Sequence, residues 1–287
     1  MLPDQRVEAW KYSDLRAALA QMPLPQLEEA PKEGPILARL AGGFSEIALA
    51  QGEQRIVIER VHGDGLEAQA RRYRLAPDAQ LTRLVLQSGP GIGLSLAEIE
   101  LGAGAHLRQF VLAEGGRFAR IETQVQVLGE GAQVELAGIY LAGAGRHVDL
   151  TSVVTHHVPG GRTGQLIKGA ARAGGRGVFQ GKILVARGAQ KTDARQHHRA
   201  LLLEIGAEVY AKPELEIYAD DVACAHGNTA GALAQDQLFY LKSRAVPLAQ
   251  ARAMLTEAFL LEALPDWLQA DWREEIEARL AAWLGAR

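Results

Sequence analysis

Cysteine is almost absent from this 287-residue chain, with Cys224 its single thiol. One thiol forms no intramolecular disulfide, which fits a reducing compartment. Nor can one thiol hold an iron–sulfur cluster, which several thiolates normally bind. Long apolar runs are missing too. No stretch of about 18 apolar residues occurs, so no membrane span is expected. The start, Met1-Leu2-Pro3-Asp4-Gln5-Arg6, has no apolar segment of the signal-peptide kind, and a cytosolic protein is expected. Charge is nearly balanced, 31 Lys+Arg against 34 Asp+Glu for a net −3. That balance supplies no field for nucleic acid. The basic cluster Arg71-Arg72 with Arg74 reads as a solvated strand edge or turn.

The common motifs for nucleotides and hydrolysis are also wanting. Gly181-Lys182 suggests a phosphate-binding loop. Arg176 stands at the first glycine of that motif, and Ile183 replaces the hydroxyl residue that would reach magnesium. Nucleotide hydrolysis by this chain is therefore not expected. Gly93-Leu94-Ser95-Leu96-Ala97 resembles a nucleophile elbow but ends in alanine, with no strand-to-helix context. Neither a Gly-x-Gly-x-x-Gly loop nor a His-Glu-x-x-His pair is present.

What the chain does carry is a change of texture along its length. Residues 1–35 read as a helical segment followed by a proline-rich linker. Val7, Trp10, Leu15, Ala18 and Leu19 give a helical stripe over Asp4–Gln21, and Ser13 is a candidate cap for a second short helix. Pro23, Pro25, Pro31 and Pro35 then favour extended chain. Residues 36–230 alternate short apolar runs with glycine-rich turns. Arg55–Glu59, Leu81–Leu86, Ile121–Leu128, Val134–Leu141 and Val148–Val154 read as strands. Gly129-Glu130-Gly131-Ala132, Gly143-Ala144-Gly145-Arg146 and Gly174-Gly175-Arg176-Gly177 are among the turns between strands. No crossover helix separates the strands, which excludes a βαβ plan. A sandwich or barrel would use the glycines as hairpins, and a solenoid would use them as corners. Hairpin signatures are scarce, Asp64-Gly65 being the exception, and this leans toward the solenoid.

Residues 231–287 turn helical. Gln235–Ser243 reads as one helix, Pro247 fits the first turn of the next, and Pro265 opens the last. In that last helix Leu268, Trp272, Ile276, Leu280 and Leu284 recur every four residues, flanked by Trp267 and Trp283. Two readings stand: the aromatics dock the helices on the core, or they present a surface to another protein.

The most specific chemical candidates are Cys224 and His226. Side chains two apart on a strand share a face, so thiol and imidazole project together. These are preferred ligands of soft transition metals. On a regular strand Asp220 joins the same face and Asp221 points away. A buried, inert thiol and a cysteine nucleophile with a histidine base remain alternatives. The pairs His156-His157 and His197-His198 point to opposite faces of a strand, so neither chelates one ion readily. They read as solvated or hydrogen-bonded turn residues.

Several runs together resemble the SufB/SufD family of iron–sulfur cluster assembly scaffolds. They are Lys191-Thr192-Asp193, Ala207-Glu208-Val209, the run Lys212 to Val222 with Cys224 and His226-Gly227, and Leu238-Phe239-Tyr240-Leu241-Lys242-Ser243-Arg244. Glu8-Ala9-Trp10-Lys11-Tyr12-Ser13-Asp14-Leu15 resembles the family's entry motif. The resemblance is dense over residues 160–244 and thin over 23–128, and the chain is short for the family. Its single cysteine and the run Tyr218-Ala219-Asp220-Asp221 are similar to the SufD branch rather than to SufB. The resemblance implies a mainly β fold, a right-handed parallel β-helix with helical ends. It implies a non-catalytic scaffold subunit that pairs with SufB through the cores and binds the ATPase SufC through the C-terminal helices. Cys224 and His226 would then be half of a nascent-cluster site completed by SufB, empty in the isolated chain. Flavin participation is left unassigned. A homodimeric structural protein with an inert thiol, and a cysteine-dependent or carbohydrate-active enzyme, are the competing expectations.

Overall fold

The structure is a computed structural model that describes residues 2–20, 22 and 33–285. Among these residues fourteen strands occur: β1 (Ser45–Leu49), β2 (Gln54–His62), β3 (Leu66–Leu75), β4 (Gln80–Ser88), β5 (Ile92–Leu101), β6 (His106–Ala113), β7 (Phe118–Val127), β8 (Gln133–Ala142), β9 (His147–His156), β10 (Arg162–Ala171), β11 (Arg176–Val185), β12 (Asp193–Leu202), β13 (Glu208–Ile217) and β14 (Ala223–Gly231). Odd-numbered strands form one parallel sheet and even-numbered strands a second. Consecutive strands thus alternate between sheets, and each coil stacks on the one before. This is a parallel β-solenoid. Stacked positions lie 26 residues apart early in the chain, as for Arg72 and Glu98. They lie 32 apart late, as for Arg176 and Glu208.

The glycine-rich turns are the corners of these coils. Gly145, Gly174 and Gly206 have φ of 71°, 71° and 86°, the left-handed region where a side chain is strained. Their backbones stack: Gly145 N–H donates to Gly174 O at 2.9 Å, and Gly174 N–H to Gly206 O at 3.0 Å. Asp64-Gly65 is no hairpin. It turns the chain from β2 to β3, which lie in different sheets. Dipeptides that close hairpins also serve at corners, because both need only a tight reversal.

Parallel stacking lines like residues into columns. Leu81, Leu107 and Val134 form one inward column of the even sheet. Tyr73, Ile99, Val125, Val154 and Ile183 lie in an inward column of the odd sheet. All of these belong to one buried cluster between the sheets. The outer faces are covered as well, so β5 is buried almost throughout. The covering element on the odd sheet is N-terminal. A 3-10 turn (Glu8–Trp10), α1 (Leu15–Leu19) and α2 (Ile36–Leu40) pack there on Leu94, Leu96 and Phe118. On the even sheet it is C-terminal. There α4 (Leu248–Leu261) and α5 (Ala270–Gly285) pack on Leu84, Phe110, Leu112, Ile139 and Leu141. Between β14 and α4 lies α3 (Gln235–Ser243). No helix among the described residues is long and apolar enough to cross a membrane.

Two details of the ends differ from the sequence reading. The stretch from Asp4 holds a 3-10 turn and then the second short helix, α1, but Asp14, not Ser13, caps α1 by accepting from Ala17 N–H at 2.8 Å. Ser13 is otherwise engaged: it is fully buried and donates to Asp149 Oδ2. Asp149 also pairs with Arg120 at 2.7 Å, and Trp10 lies 4.0 Å from that guanidinium. The entry motif therefore straps the N-terminus onto the odd sheet. Pro35 is the N-cap of α2, whereas Pro23, Pro25 and Pro31 lie outside the described residues. The last helix begins at Ala270 rather than Pro265, whose carbonyl closes a turn onto Leu268 N–H.

Candidate half-site at the open end of the solenoid

Among the described residues β14 is the last strand of its sheet and pairs only with β12. In that register Ala194 lies beside Cys224, Gln196 beside His226, and His198 beside Asn228. Register partners on parallel strands project to the same side. Ala194, Gln196 and His198 are fully buried within the solenoid. Cys224, His226 and Asn228 consequently continue the inward columns to the end, where no further coil covers them. Cys224 is half-buried and packs against the inter-sheet core, while His226 is exposed.

The structure thus brings Cys224 and His226 onto one face, as strand alternation requires. It does not bring Asp220 there. Asp220 and Asp221 precede the strand, in the corner between β13 and β14. Asp221 instead bonds the Lys191 ammonium, and its backbone accepts from Lys191 N–H at 2.7 Å. Lys191-Thr192-Asp193 is a corner brace, with Thr192 Oγ1 donating to Ala189 O at 2.8 Å.

The electrostatics oppose a cysteine nucleophile. Burial pushes the Cys224 thiol up, a backbone hydrogen bond at Ala194 offsets part of this, and the Asp193 charge adds to the rise. His226 makes no hydrogen bond to the thiol, so no base withdraws its proton. As a metal site the pair is incomplete. Among the described residues no three His, Cys, Asp or Glu side chains converge as ion ligands. A soft metal would find two suitable donors here and need the rest from elsewhere.

Two of the paired histidines are not turn residues of the kind the sequence suggested. His156 and His198 are strand residues with no exposure. Burial pulls each down to about 4, so both are neutral near pH 7. His198 stacks 4.8 Å from Phe179 and bonds Tyr140 Oη at 3.0 Å. His157 is the turn residue, bonded to Gln126 at 2.7 Å. Lys182 is no phosphate ligand: it sits mid-strand and pairs with Glu216 at 2.7 Å.

The sequence reading missed the buried polar column that runs behind the half-site. Arg83, Gln109, Gln165, Gln196 and His226 lie on one line of register partners, interrupted once by Leu136. Polar residues recur at coil-length intervals there, but the interval drifts, and without the register the column is invisible.

A family model for the SUF system FeS cluster assembly SufBD core domain matches residues 45–259, from the first residue of β1 into α4. The chain belongs to the SufBD family. It is 32% identical over 249 residues to the iron–sulfur cluster assembly protein SufD of Escherichia coli, covering 83% of this chain and 58% of that protein. An iron–sulfur cluster assembly SufBD family protein of Mycobacterium leprae is 27% identical over 294 residues, covering 97% and 75%. Protein ABCI7 of Arabidopsis thaliana, named as chloroplastic, is 34% identical over 206 residues, covering 67% and 43%. This SufBD chain therefore spans between 43% and 75% of the length of these three relatives. The matched core holds both Cys224 and His226 and ends where α4 docks on the even sheet.

Proposed function

We propose that this SufBD chain is a SufD-type, non-catalytic scaffold subunit for iron–sulfur cluster assembly. Its open end pairs with a SufB-type partner, and Cys224 and His226 supply half of the ligands to a nascent cluster carried as cargo. The observation that carries this reading is the unclosed final coil. β13 and β14 both end their sheets, and β14 presents thiol and imidazole on columns that no further strand among the described residues covers. At the end of β13 and in the corner leading to β14, Ile217 and Tyr218 are exposed, apolar surface suited to a covering partner. A bare sheet end is otherwise a liability, because unpaired backbone invites uncontrolled association.

The contact with a SufC-type ATPase falls to α3. The tryptophans of α5 and its approach are occupied inside the molecule: Trp272 is buried, Trp267 bonds Glu135 at 3.1 Å, and Trp283 packs under Arg172 at 4.3 Å. By contrast Phe239 and Tyr240 on α3 are 73% and 57% exposed. Removing everything after Leu233 would strip the cover from Leu84, Phe110 and Leu112, so point variants are the sound test.

The decisive experiment is co-purification with SufB- and SufC-type partners, then anaerobic reconstitution followed by absorption. Cys224→Ser and His226→Ala should each lower cluster yield without changing complex recovery. Unchanged yield in both would overturn the half-site. Phe239→Ala with Tyr240→Ala should abolish ATPase pull-down while leaving the thermal midpoint in place. Retained binding would move that contact elsewhere.

A further inference from the structure

The column that ends at His226 carries an unfinished line of hydrogen bonds. Gln165 donates through Nε2 to Ser152 Oγ at 2.7 Å. Gln196 donates through Nε2 to Gln165 Oε1 at 2.9 Å. Gln165 gives its N–H across to β9 in the facing sheet and its oxygen to the coil that follows, and Gln196 gives its N–H back to Gln165 and leaves its own oxygen for the next coil. The polarity is fixed, because turning the Gln196 amide over would set two carbonyl oxygens against each other. Gln196 has no exposure, yet its Oε1 has no partner. Such a buried, unmet acceptor destabilises the fold, because nothing repays the loss of its water.

The amide sits in a space kept for it. Gly181 faces it from β11, and a Cβ at that glycine would come within 2.3 Å of Gln196 Nε2. On the open side the next rung is His226, the register partner of Gln196, on a strand about 4.8 Å away. One column over, the same step is made by a bond: His198 Nδ1 meets Asn228 Oδ1 at 2.7 Å. The His226 ring is exposed and makes no hydrogen bond or ring contact that holds it away from the buried oxygen.

We propose that Gln196 is a positioning residue for His226. Its Oε1 accepts the His226 ring N–H, which fixes one neutral tautomer and leaves the other ring nitrogen, with its lone pair, directed at the open end. Histidines that bind metals commonly commit their second nitrogen to such an acceptor, and losing that partner weakens metal binding about 10- to 100-fold. The proposal rests on the half-site reading for its purpose but not for its test. Gln196 itself touches no cargo.

The test is nuclear magnetic resonance of the full chain with ring-¹⁵N histidine, with His226 assigned through His226→Ala. In the neutral form the His226 ring should show one protonated and one bare nitrogen, with a protected N–H. Gln196→Leu should convert it to the averaged mixture of a free ring. A mixture in the unaltered protein overturns the proposal without any variant, as does a tautomer indifferent to Gln196→Leu. In the assembled complex, Gln196→Leu should weaken cluster retention about 10-fold or more. If His226→Ala leaves cluster yield intact while the tautomer still depends on Gln196, the half-site fails and the positioning contact stands.

Discussion

Replacing Glu59 by glutamine probes the polar interior of the early coils. Glu59 is 1% exposed and lies between the sheets. Its carboxylate accepts from Arg83 Nε at 2.6 Å, Arg83 Nη2 at 2.8 Å and Tyr73 Oη at 2.6 Å, with Arg71 Nη1 at 2.9 Å. Burial alone would raise its pKa, but the Arg83 charge and hydrogen bonds, then Arg71, outweigh that and hold it down at about 2, against 4.5 ordinarily. That depression corresponds to roughly 3 kcal/mol of folding stability. Because the folded value is depressed, the stabilisation is complete above about pH 4.5 and is lost as pH falls toward about 2. Glu59→Gln removes it at neutral pH and strands the Arg83 charge, a loss of about 3–5 kcal/mol by the broken-pair route. The two routes agree in size. Denaturant midpoints followed by circular dichroism should place the variant about 3 kcal/mol below the parent near pH 7. By about pH 3 the gap should shrink by roughly 2 kcal/mol, since only the parent has a carboxylate to protonate. A gap below about 1 kcal/mol near pH 7, or one that does not change with pH, would refute a charge-paired interior.

Two other outcomes follow from the geometry. Because burial raises the Cys224 thiol, its alkylation by iodoacetamide should accelerate only above the pH at which an ordinary free thiol reacts. A midpoint at or below the ordinary one would restore the nucleophile reading. Trp10→Ala removes a buried indole from the Arg120 guanidinium, a change of about 3–5 kcal/mol. Hydrogen exchange over residues 8–19 should speed up while β5–β12 stay protected. Lost protection throughout the solenoid would mean that the strap is integral rather than applied.

Much of this protein is legible in its sequence. Period-two alternation and recurrent glycines specify strands with corners, because side-chain parity and positive φ are properties of the local chain. The same parity put Cys224 and His226 on one face, and the resemblance of their surroundings named the SufBD family. The local rules erred where a side chain had a distant partner. Ser13 caps nothing because Asp149, far along the chain, takes its hydroxyl. Asp220 leaves the Cys224 face because the chain turns a corner there. The stripes of α4 and α5 could have faced a partner, and only the fold shows them spent on the even sheet. Register is the underlying reason. Sequence fixes which residues alternate, but coil lengths that drift from 26 to 32 residues hide which ones stack. Only the stacked structure sets Gln196 beside His226 and leaves that column open at its end.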